Sequence, residues 1–242
     1  MSAGTALAGR SIVVIGGSSG IGLATARLAQ QQGAAVTIAG RNEERLRSAL
    51  AELGGAARAA AVDASDERSV ARFFSEVEHA DHVVVLAGEQ PVGLLAEADS
   101  ASFRRAMDAR FWSAVHVCKY APARMAEAGS ITLCSGVVAH KPQPTRSLGT
   151  ASTAAVEAFG RAMAVELAPI RVNTIVPGPT DTPMLRRFLG AQADEHLARV
   201  RSRIPVGRIG SPDELALAIV FLMENGFVTG VTLPVDGGFL LT

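Results

Sequence analysis

The chain has 242 residues, 48% of them hydrophobic and 5% aromatic, which is enough for the core of one α/β domain. Its 23 Lys and Arg residues balance its 23 Asp and Glu residues, so no net charge favours a nucleic acid or an anionic membrane as partner. The two cysteines, Cys118 and Cys134, cannot form a disulfide framework, and no Cys/His cluster indicates a metal site. No apolar run reaches the roughly 20 residues of a membrane span, and residues 1–10 lack the pattern of a signal peptide, so we expect a cytoplasmic protein.

In the first half of the chain, short apolar runs alternate with longer amphipathic segments. The predicted strands are Ser11–Ile15, Val36–Ala39, Ala57–Val62 and Val83–Leu86. The predicted helices are Gly20–Gln31, Asn42–Leu53 and a segment that follows a cap at Ser65 or Asp66 and ends near Val77. The last of the strands is apolar throughout, which is typical of a strand buried on both faces of a sheet.

The same alternation continues in the second half. The predicted strands are Ile131–Cys134, Val172–Val176 and Val231–Val235. The predicted helices are Ser100–Ala126, Thr150–Leu167, Leu185–Val200 and Pro212–Met223, the last one capped by Ser211 with Glu214 three residues on. Alternation without a linker or repeat predicts a single domain over residues 1–242. It also predicts an α/β Rossmann fold, in which a doubly wound parallel sheet lies between two layers of helices.

The most specific motif lies where the first predicted strand ends. It reads Ile15-Gly16-Gly17-Ser18-Ser19-Gly20-Ile21-Gly22. Glycine allows a tight turn and lets the backbone approach a pyrophosphate, while the following helix presents free N–H groups and the positive end of its dipole. We therefore predict that a dinucleotide binds at Gly16, Ser18, Ser19, Gly20, Ile21 and Gly22. A glycine-rich turn with only a structural role is the alternative.

This loop resembles the T-G-x-x-x-G-[IL]-G motif of short-chain dehydrogenases/reductases, and further ordered matches cover essentially the whole chain. The matching residues are Asp63, Ala87-Gly88, Arg171-Val172-Asn173, Pro177-Gly178, Thr182, Gly207-Arg208-Ile209-Gly210, Pro212-Asp213-Glu214 and Asp236-Gly237-Gly238. In the family, the acidic residue at position 63 lies near the adenine and the threonine at position 182 contacts the nicotinamide amide. The resemblance implies a Rossmann fold and cofactor contacts at Asp63, Ala87, Gly88, Pro177, Gly178 and Thr182.

The end of the second predicted strand indicates which dinucleotide binds. NAD-preferring folds place a carboxylate there, which accepts from the ribose 2′-hydroxyl and repels a 2′-phosphate. Here that position is Gly40, and Arg41 follows it. A guanidinium holds phosphate through two parallel hydrogen bonds, and Gly40-Arg41-Asn42 is similar to the pattern of NADP-preferring family members. We predict NADP(H) as cofactor, the alternative being a solvated arginine at the start of a surface helix.

The family's catalytic residues are largely absent. The family uses a tyrosine as proton donor, a lysine four residues on that holds the nicotinamide ribose, a serine that polarises the substrate carbonyl, and an asparagine. Here Gly149 falls at the tyrosine, Thr153 at the lysine and Arg110 at the asparagine. Ser135 falls near the serine position, although its spacing to Gly149 is one residue longer than usual. Ser135 is therefore the one candidate catalytic residue inherited from the family.

Three hypotheses remain open. The protein is an oxidoreductase with a rebuilt proton donor, for which His140 and Lys141 are the nearer candidates and Arg110 and Tyr120 the more distant ones. Alternatively, it transfers hydride with water as the acid, which is slower by roughly 10²–10⁴. In the third hypothesis it is a non-catalytic NADP(H)-binding module or a structural subunit. We favour an atypical NADP(H)-dependent oxidoreductase that acts on a carbonyl or alcohol group of a small molecule.

Three segments are expected to frame the substrate: Gln90–Asp99, Gly136–Leu148 and the excursion Pro183–Ile204. In the last one, Leu185, Phe188 and Leu189 suggest an apolar substrate face, although core packing explains them equally well. The resemblance also implies a homodimer or homotetramer, formed through the long helices of the second half and the C-terminal helix and strand. The Ala-rich, nearly uncharged stretch Ala151–Ala164 permits close helix packing.

Overall fold

One parallel sheet organises the molecule. The computed structural model describes residues 7–88, 92–190 and 193–242. The described strands are β1 (Ser11–Ile15), β2 (Ala35–Gly40), β3 (Arg58–Ala61), β4 (Ala80–Val85), β5 (Met125–Cys134), β6 (Arg171–Pro177) and β7 (Thr232–Val235). Every neighbouring pair is parallel and the order is β3-β2-β1-β4-β5-β6-β7. The predicted α/β Rossmann fold with a doubly wound sheet is confirmed.

Helices cover both faces of this sheet. They are α1 (Gly20–Gln31), α2 (Glu43–Leu53), α3 (Glu67–Glu76), α4 (Ser100–Met107), α5 (Ser113–Tyr120), α6 (Ser147–Glu166), α7 (Pro183–Leu189), α8 (Ala193–Arg201) and α9 (Pro212–Glu224). A π-helical turn, Asp108–Trp112, joins α4 to α5, and short 3₁₀ turns lie at Pro122–Arg124, Val137–Ala139 and Phe239–Leu241. In the described ranges, no helix combines the length and the apolar character that crossing a bilayer requires.

Successive strand residues point to opposite faces, so the sheet separates two hydrophobic cores. Val13 and Ile15 of β1 belong to the core under α3, α5 and α6. Ile12 and Val14 of the same strand belong to the core under α1, α2 and α9. Burial on both faces explains why the strand sequences are nearly continuous apolar runs.

The helix predicted over Ser100–Ala126 is shorter in the structure, because β5 begins at Met125, well before its predicted start. Met125 pairs with Ala80 of β4. Gly129 lies so close to Asp81 that a Cβ at this position would stand 2.5 Å from the Asp81 carbonyl oxygen. Strand pairing therefore overrides the helix propensity of an alanine-rich segment.

The helix predicted over Leu185–Val200 is two helices, α7 and α8. Gly190 follows α7 with a φ of +58°, a conformation that glycine adopts without strain. Residues 191–192 lie outside the described ranges. The predicted cap of α9 is present, since Glu214 accepts from the backbone N–H of Ser211 at 2.9 Å.

The topology determines where a ligand binds. The strands are all parallel, so their carboxyl ends lie at one edge of the sheet. From β1 the chain continues to β2 and β3 on one side, and β4 then lies on the other side of β1. In open α/β sheets, ligands bind outside the carboxyl ends of the strands at such a reversal of strand order. The candidate site therefore begins where β1 and β4 end.

Candidate cofactor and active site

The loop after β1 is built by close backbone approaches that only glycine permits. Gly16 has a φ of +86°, and a Cβ on it would stand 3.0 Å from the carbonyl carbon of Leu86. A Cβ on Gly22 would stand 2.2 Å from the carbonyl oxygen of Gly16, so α1 packs directly on the loop. Leu86 also donates its N–H to Ile15 at 2.8 Å, which ties the loop to the end of β4. The glycines thus hold the start of α1 against the sheet.

The start of α1 forms a cradle for an anion. Ser19 is the N-cap residue, and its side chain makes no capping hydrogen bond, which leaves first-turn N–H groups of the helix available to a ligand. Gly20 has a φ of +55°, and the nearest atom to a Cβ on it is the methyl of Thr182, at 3.4 Å. The absent side chain leaves room for a phosphate above these N–H groups. The predicted residues of this loop are therefore brought together in a shape that fits a pyrophosphate.

The ends of β2 and β3 lie beside the cradle. A Cβ on Gly40 would stand 3.9 Å from the Ser18 hydroxyl, so the position that NAD-binding folds give to a carboxylate is open. Arg41 is exposed immediately after it. Val62 donates its N–H to the Gly40 carbonyl, which brings Asp63 to the same edge. One oxygen of Asp63 accepts from the N–H and the hydroxyl of Ser65, at 3.0 and 2.6 Å.

The segment after β6 closes the cofactor side. A Cβ on Gly178 would stand 2.5 Å from the Cα of Asp236, so Pro177-Gly178 packs against the backbone after β7. Thr182 is the N-cap of α7, and its hydroxyl oxygen accepts from the N–H of Leu185 at 3.2 Å. The methyl group of Thr182 faces Gly20. The structure thus brings the β6 segment and the phosphate loop together, as the family resemblance implies.

Ser135 lies at the end of β5, but its hydroxyl turns towards α6. The residue is 3% exposed, and its Oγ donates to Glu157 Oε1 at 2.5 Å and to the Thr153 carbonyl oxygen at 3.2 Å. The neighbouring position Gly136 faces the site instead, since a Cβ there would stand 3.6 Å from the methyl of Thr153. The extra residue in the spacing from Ser135 to Gly149 was the sequence signal of this shift. Glu157, which sequence reasoning missed, gave no signal of its own.

Gly149 and Thr153 lie one turn apart on α6. Thr153 is 1% exposed, and its hydroxyl donates to the carbonyl oxygens of Gly149 and Thr150 at 2.8 and 3.0 Å. A Cβ on Gly149 would meet no described atom within 4 Å. The tyrosine position is therefore an open space, and the lysine position holds a short hydroxyl that is bonded within its own helix.

Three of the four candidate proton donors are held elsewhere. His140 Nε2 contacts the Glu157 carboxylate at 3.0 Å, and Glu157 lies eight residues after Gly149, roughly 12 Å along the helix. The Lys141 ammonium donates to the carbonyl oxygens of Phe239 and Thr242 and lies 4.4 Å from the centre of the Phe239 ring. Tyr120 donates to an exposed carboxylate, that of Glu67, at 2.9 Å.

Arg110, the fourth candidate, does lie at the site. It belongs to the π-helical turn, and only 6% of the residue is exposed. Its Nη1 donates to the carbonyl oxygens of Cys134 and Ser135, at 3.2 and 3.3 Å, while its Nε has no partner among the described residues. A Cβ on Gly88 would stand 2.7 Å from the guanidinium carbon. Arg110 therefore spans the ends of β4 and β5, beside the cofactor cradle.

A groove of about 480 Å³ opens beside the first turn of α6. It is largely apolar and is lined by Gly93, Leu94, Leu95, Pro142, Gln143, Pro144, Thr145, Ser147, Thr150 and Ala151. Thr145 has a φ of +67°, which is unusual for a β-branched residue, and its carbonyl oxygen accepts from the Gly93 N–H at 3.0 Å. Two predicted substrate segments therefore meet here, although residues 89–91 and the side chain of Phe188 lie outside the described part.

Comparison with known proteins agrees with this arrangement. A family model described as Enoyl-(Acyl carrier protein) reductase matches residues 15–240. The short-chain dehydrogenase/reductase ATR9 of Stachybotrys chlorohalonatus is 35% identical, over 96% of this chain and 98% of its own length. The structure of MalC Reductase/Diels-Alderase from Malbranchea aurantiaca is 32% identical with a TM-score of 0.91, covering 98% of both chains. A small-chain dehydrogenase in complex with NADPH is 33% identical with a TM-score of 0.84, covering 97% of this chain and 100% of its own. The chain therefore belongs to the short-chain dehydrogenase/reductase superfamily.

Proposed function

We propose that residues 1–242 form one NADP(H)-binding domain and that the protein is an atypical oxidoreductase acting on a carbonyl or alcohol group of a small molecule. The observation that carries the proposal is the cradle at the start of α1. There, uncapped N–H groups and the open Gly20 position fit a pyrophosphate. Family membership supports the reaction class, since a reductase and a dehydrogenase are among the similar proteins.

The end of β2 supports NADP(H) over NAD(H). Gly40 leaves no carboxylate to repel a 2′-phosphate, and Arg41 adds a guanidinium next to the open position. The similar dehydrogenase structure in complex with NADPH supports the same choice. We expect the Arg41 side chain and the Ser18 hydroxyl to contact the 2′-phosphate.

We expect different residues of the site to bind the cofactor and to assist proton transfer. When bound, a nicotinamide cofactor would supply or accept the hydride. Gly16 to Gly22 hold the pyrophosphate, and Pro177, Gly178 and Thr182 enclose the other half of the cofactor. A proton for the substrate oxygen comes from water in the open space at Gly149, because His140, Lys141 and Tyr120 are held elsewhere. Without a positioned acid, we expect turnover slower by roughly 10²–10⁴ than with one.

The groove beside α6 supports an apolar substrate. Its walls carry two leucines and two prolines, and few polar groups face it. Leu185 and Leu189 of α7 are half-buried, which is compatible with the apolar substrate face expected for that segment. A small molecule with an apolar body and a reducible carbonyl group is the substrate class that fits.

The residues at the family's catalytic positions favour a second function, in which the protein does not turn over a substrate. Gly149 and Thr153 supply neither the acid nor the cation of the family, and the Ser135 hydroxyl is engaged by Glu157. A NADP(H)-binding module or structural subunit without turnover needs none of these groups. Only the cofactor residues would then be functional.

Titration of the purified protein with NADPH and with NADH is the first test. Micromolar binding of NADPH with much weaker binding of NADH, followed by nicotinamide fluorescence or heat, is the expected result. A subsequent screen of apolar ketones and alcohols separates the two functions, since only the oxidoreductase consumes NADPH with substrate. Absence of binding by both cofactors would contradict the oxidoreductase and the NADP(H)-binding module, and would favour a scaffold or structural subunit.

We also propose a homodimer or homotetramer, as family membership implies. Large apolar side chains are exposed on α9 and just after it, among them Leu217, Phe221 and Phe227. Exposed apolar patches of this kind mark interaction surfaces. Sedimentation of the protein as a 25 kDa monomer alone would contradict the proposal.

A further inference from the structure

We infer that Arg110 is a cofactor-binding residue whose guanidinium donates hydrogen bonds to the ribose of the nicotinamide nucleoside. It would supply from the π-helical turn the cation that Thr153 does not supply from α6. The inference rests on the proposed binding of NADP(H) and adds a residue to it. It also gives a function to a buried cation at the carboxyl ends of β4 and β5.

The burial of Arg110 is the first step. Burying a guanidinium is costly unless its donors are satisfied, because the charge and five N–H groups lose their water. The described contacts satisfy only Nη1, through the carbonyl oxygens of Cys134 and Ser135. Nε has no partner, and no ion pair among the described residues includes Arg110. Nε is also shielded from solvent, so the donor left for a ligand oxygen is Nη2, which has no partner among the described residues either.

The location of Arg110 identifies the part of the cofactor. The pyrophosphate cradle lies at the end of β1, and the residues proposed for the 2′-phosphate lie at β2, on one side of it. A dinucleotide that crosses the reversal of strand order places its second nucleoside over β4 and β5. Arg110 spans these two strand ends, at Gly88 and Cys134. We expect the vicinal hydroxyls of this second ribose to accept hydrogen bonds from Nη2 of Arg110.

Two local features fit this role. Gly88 leaves space for the guanidinium, because any side chain there would meet its carbon at 2.7 Å. The π-helical turn Asp108–Trp112 inserts an extra residue into the helical register, a device that is frequent at functional sites. Arg110 donates to the carbonyl oxygen of Ser135. The next residue, Gly136, has no side chain, and a Cβ there would point towards Thr153. The cation thus approaches the place of the missing lysine from a different element.

The test compares two ligands on three variants. NADPH contains the second ribose, whereas adenosine 2′,5′-bisphosphate contains the 2′-phosphate and lacks the second nucleoside. R110M keeps an unbranched apolar stem without the charge, R110K keeps the charge without the fork, and R104M removes an exposed arginine of α4 as the matched control. We expect R110M to weaken NADPH binding at least tenfold and to leave adenosine 2′,5′-bisphosphate within twofold of wild type. R110K should weaken NADPH binding less than R110M does, and R104M should leave NADPH binding unchanged.

Each other outcome overturns the inference. Wild-type affinity of R110M for NADPH shows that the ribose does not need the guanidinium. Equal loss for both ligands, with a lower melting temperature, shows that Arg110 only supports the fold. If R110M does not fold, wild-type NADPH affinity of R110K shows that the fork makes no specific contact. Failure of the wild-type protein to bind NADPH overturns the proposed function itself, and this inference with it.

Discussion

Replacement of Arg41 by alanine should weaken NADPH binding selectively. Arg41 is exposed at the end of β2, next to the open Gly40 position, where a Cβ would stand 3.9 Å from the Ser18 hydroxyl. The guanidinium would donate two parallel hydrogen bonds to the 2′-phosphate. NADH carries no 2′-phosphate, so its affinity should stay within about twofold of wild type. The variant therefore reduces the preference for NADPH over NADH and leaves the pyrophosphate site intact.

The magnitude follows from the exposure of Arg41. Hydrogen bonds to a charged partner contribute about 1.5–3 kcal/mol, and each 1.4 kcal/mol is a factor of about ten in Kd. Because water and salt screen an exposed pair, the lower end applies, and we expect the Kd for NADPH to rise about tenfold. Higher salt should narrow the difference between wild type and variant, since the Debye length is about 10 Å at 0.1 M.

Titration by nicotinamide fluorescence in 50 mM and 500 mM salt measures this effect. Arg47→Ala is the matched control, because Arg47 is also exposed and lies further along α2, away from the end of β2. It removes the same charge and should leave both affinities unchanged. Equal losses for NADPH and NADH, or an equal effect of Arg47→Ala, would refute the 2′-phosphate role.

Three further predictions concern other parts of the chain. Gly20→Val should abolish binding of both dinucleotides in a titration, because a branched side chain fills the cradle at a φ of +55°; normal affinity would show that the loop is not the site. Ser135→Ala should lower the melting temperature, since it removes one of the two partners of buried Glu157, and should leave turnover of any substrate found unchanged; a slower chemical step with normal stability would support a catalytic role for Ser135. Burial lowers the pKa of His82 to about 4 from 6.5. As the pH falls, His82 is therefore protonated in the unfolded chain before it is protonated in the folded one. The contribution of neutral His82 to the free energy of unfolding, complete above pH 6.5, is lost towards pH 4. Between pH 7 and pH 5 wild type should lose about 2 kcal/mol more than His82→Asn in urea unfolding, and parallel losses would contradict this.

The fold and the cofactor half of the site were predictable from sequence because local rules apply there. The apolar runs of β1 and β4 encode burial on both faces. The glycines at positions 16 and 22 encode close backbone approaches, and the glycine at position 20 encodes a positive φ. The resemblance to the family placed the same residues at the strand ends. The residues that mark these features stand together in short segments of the sequence, so one chain suffices to recognise them.

The catalytic half depends on contacts that are distant in sequence. Whether Ser135 or Gly136 faces the site is a matter of one residue of strand register, and the structure resolves it through the hydroxyl contact with Glu157 on α6. The engagement of Lys141 by the backbone of Phe239 and Thr242 is equally non-local. Sequence reasoning named Ser135 and Lys141 as candidates, but the contacts that hold their side chains can be found only in the structure.

The residues at the three changed positions of the active site, Gly149, Thr153 and Arg110, depend on one another. Arg110 already places a cation at the ends of β4 and β5, so Thr153→Lys alone would bring a second positive charge to the same place, at a cost that burial increases. Gly149→Tyr alone would supply a phenol without the lysine that lowers its pKa in the family. Restoring the family's chemistry therefore requires that Arg110 be replaced together with Gly149 and Thr153. For the same reason, loss of Arg110 from the present protein should remove the cation that we infer for the nicotinamide ribose.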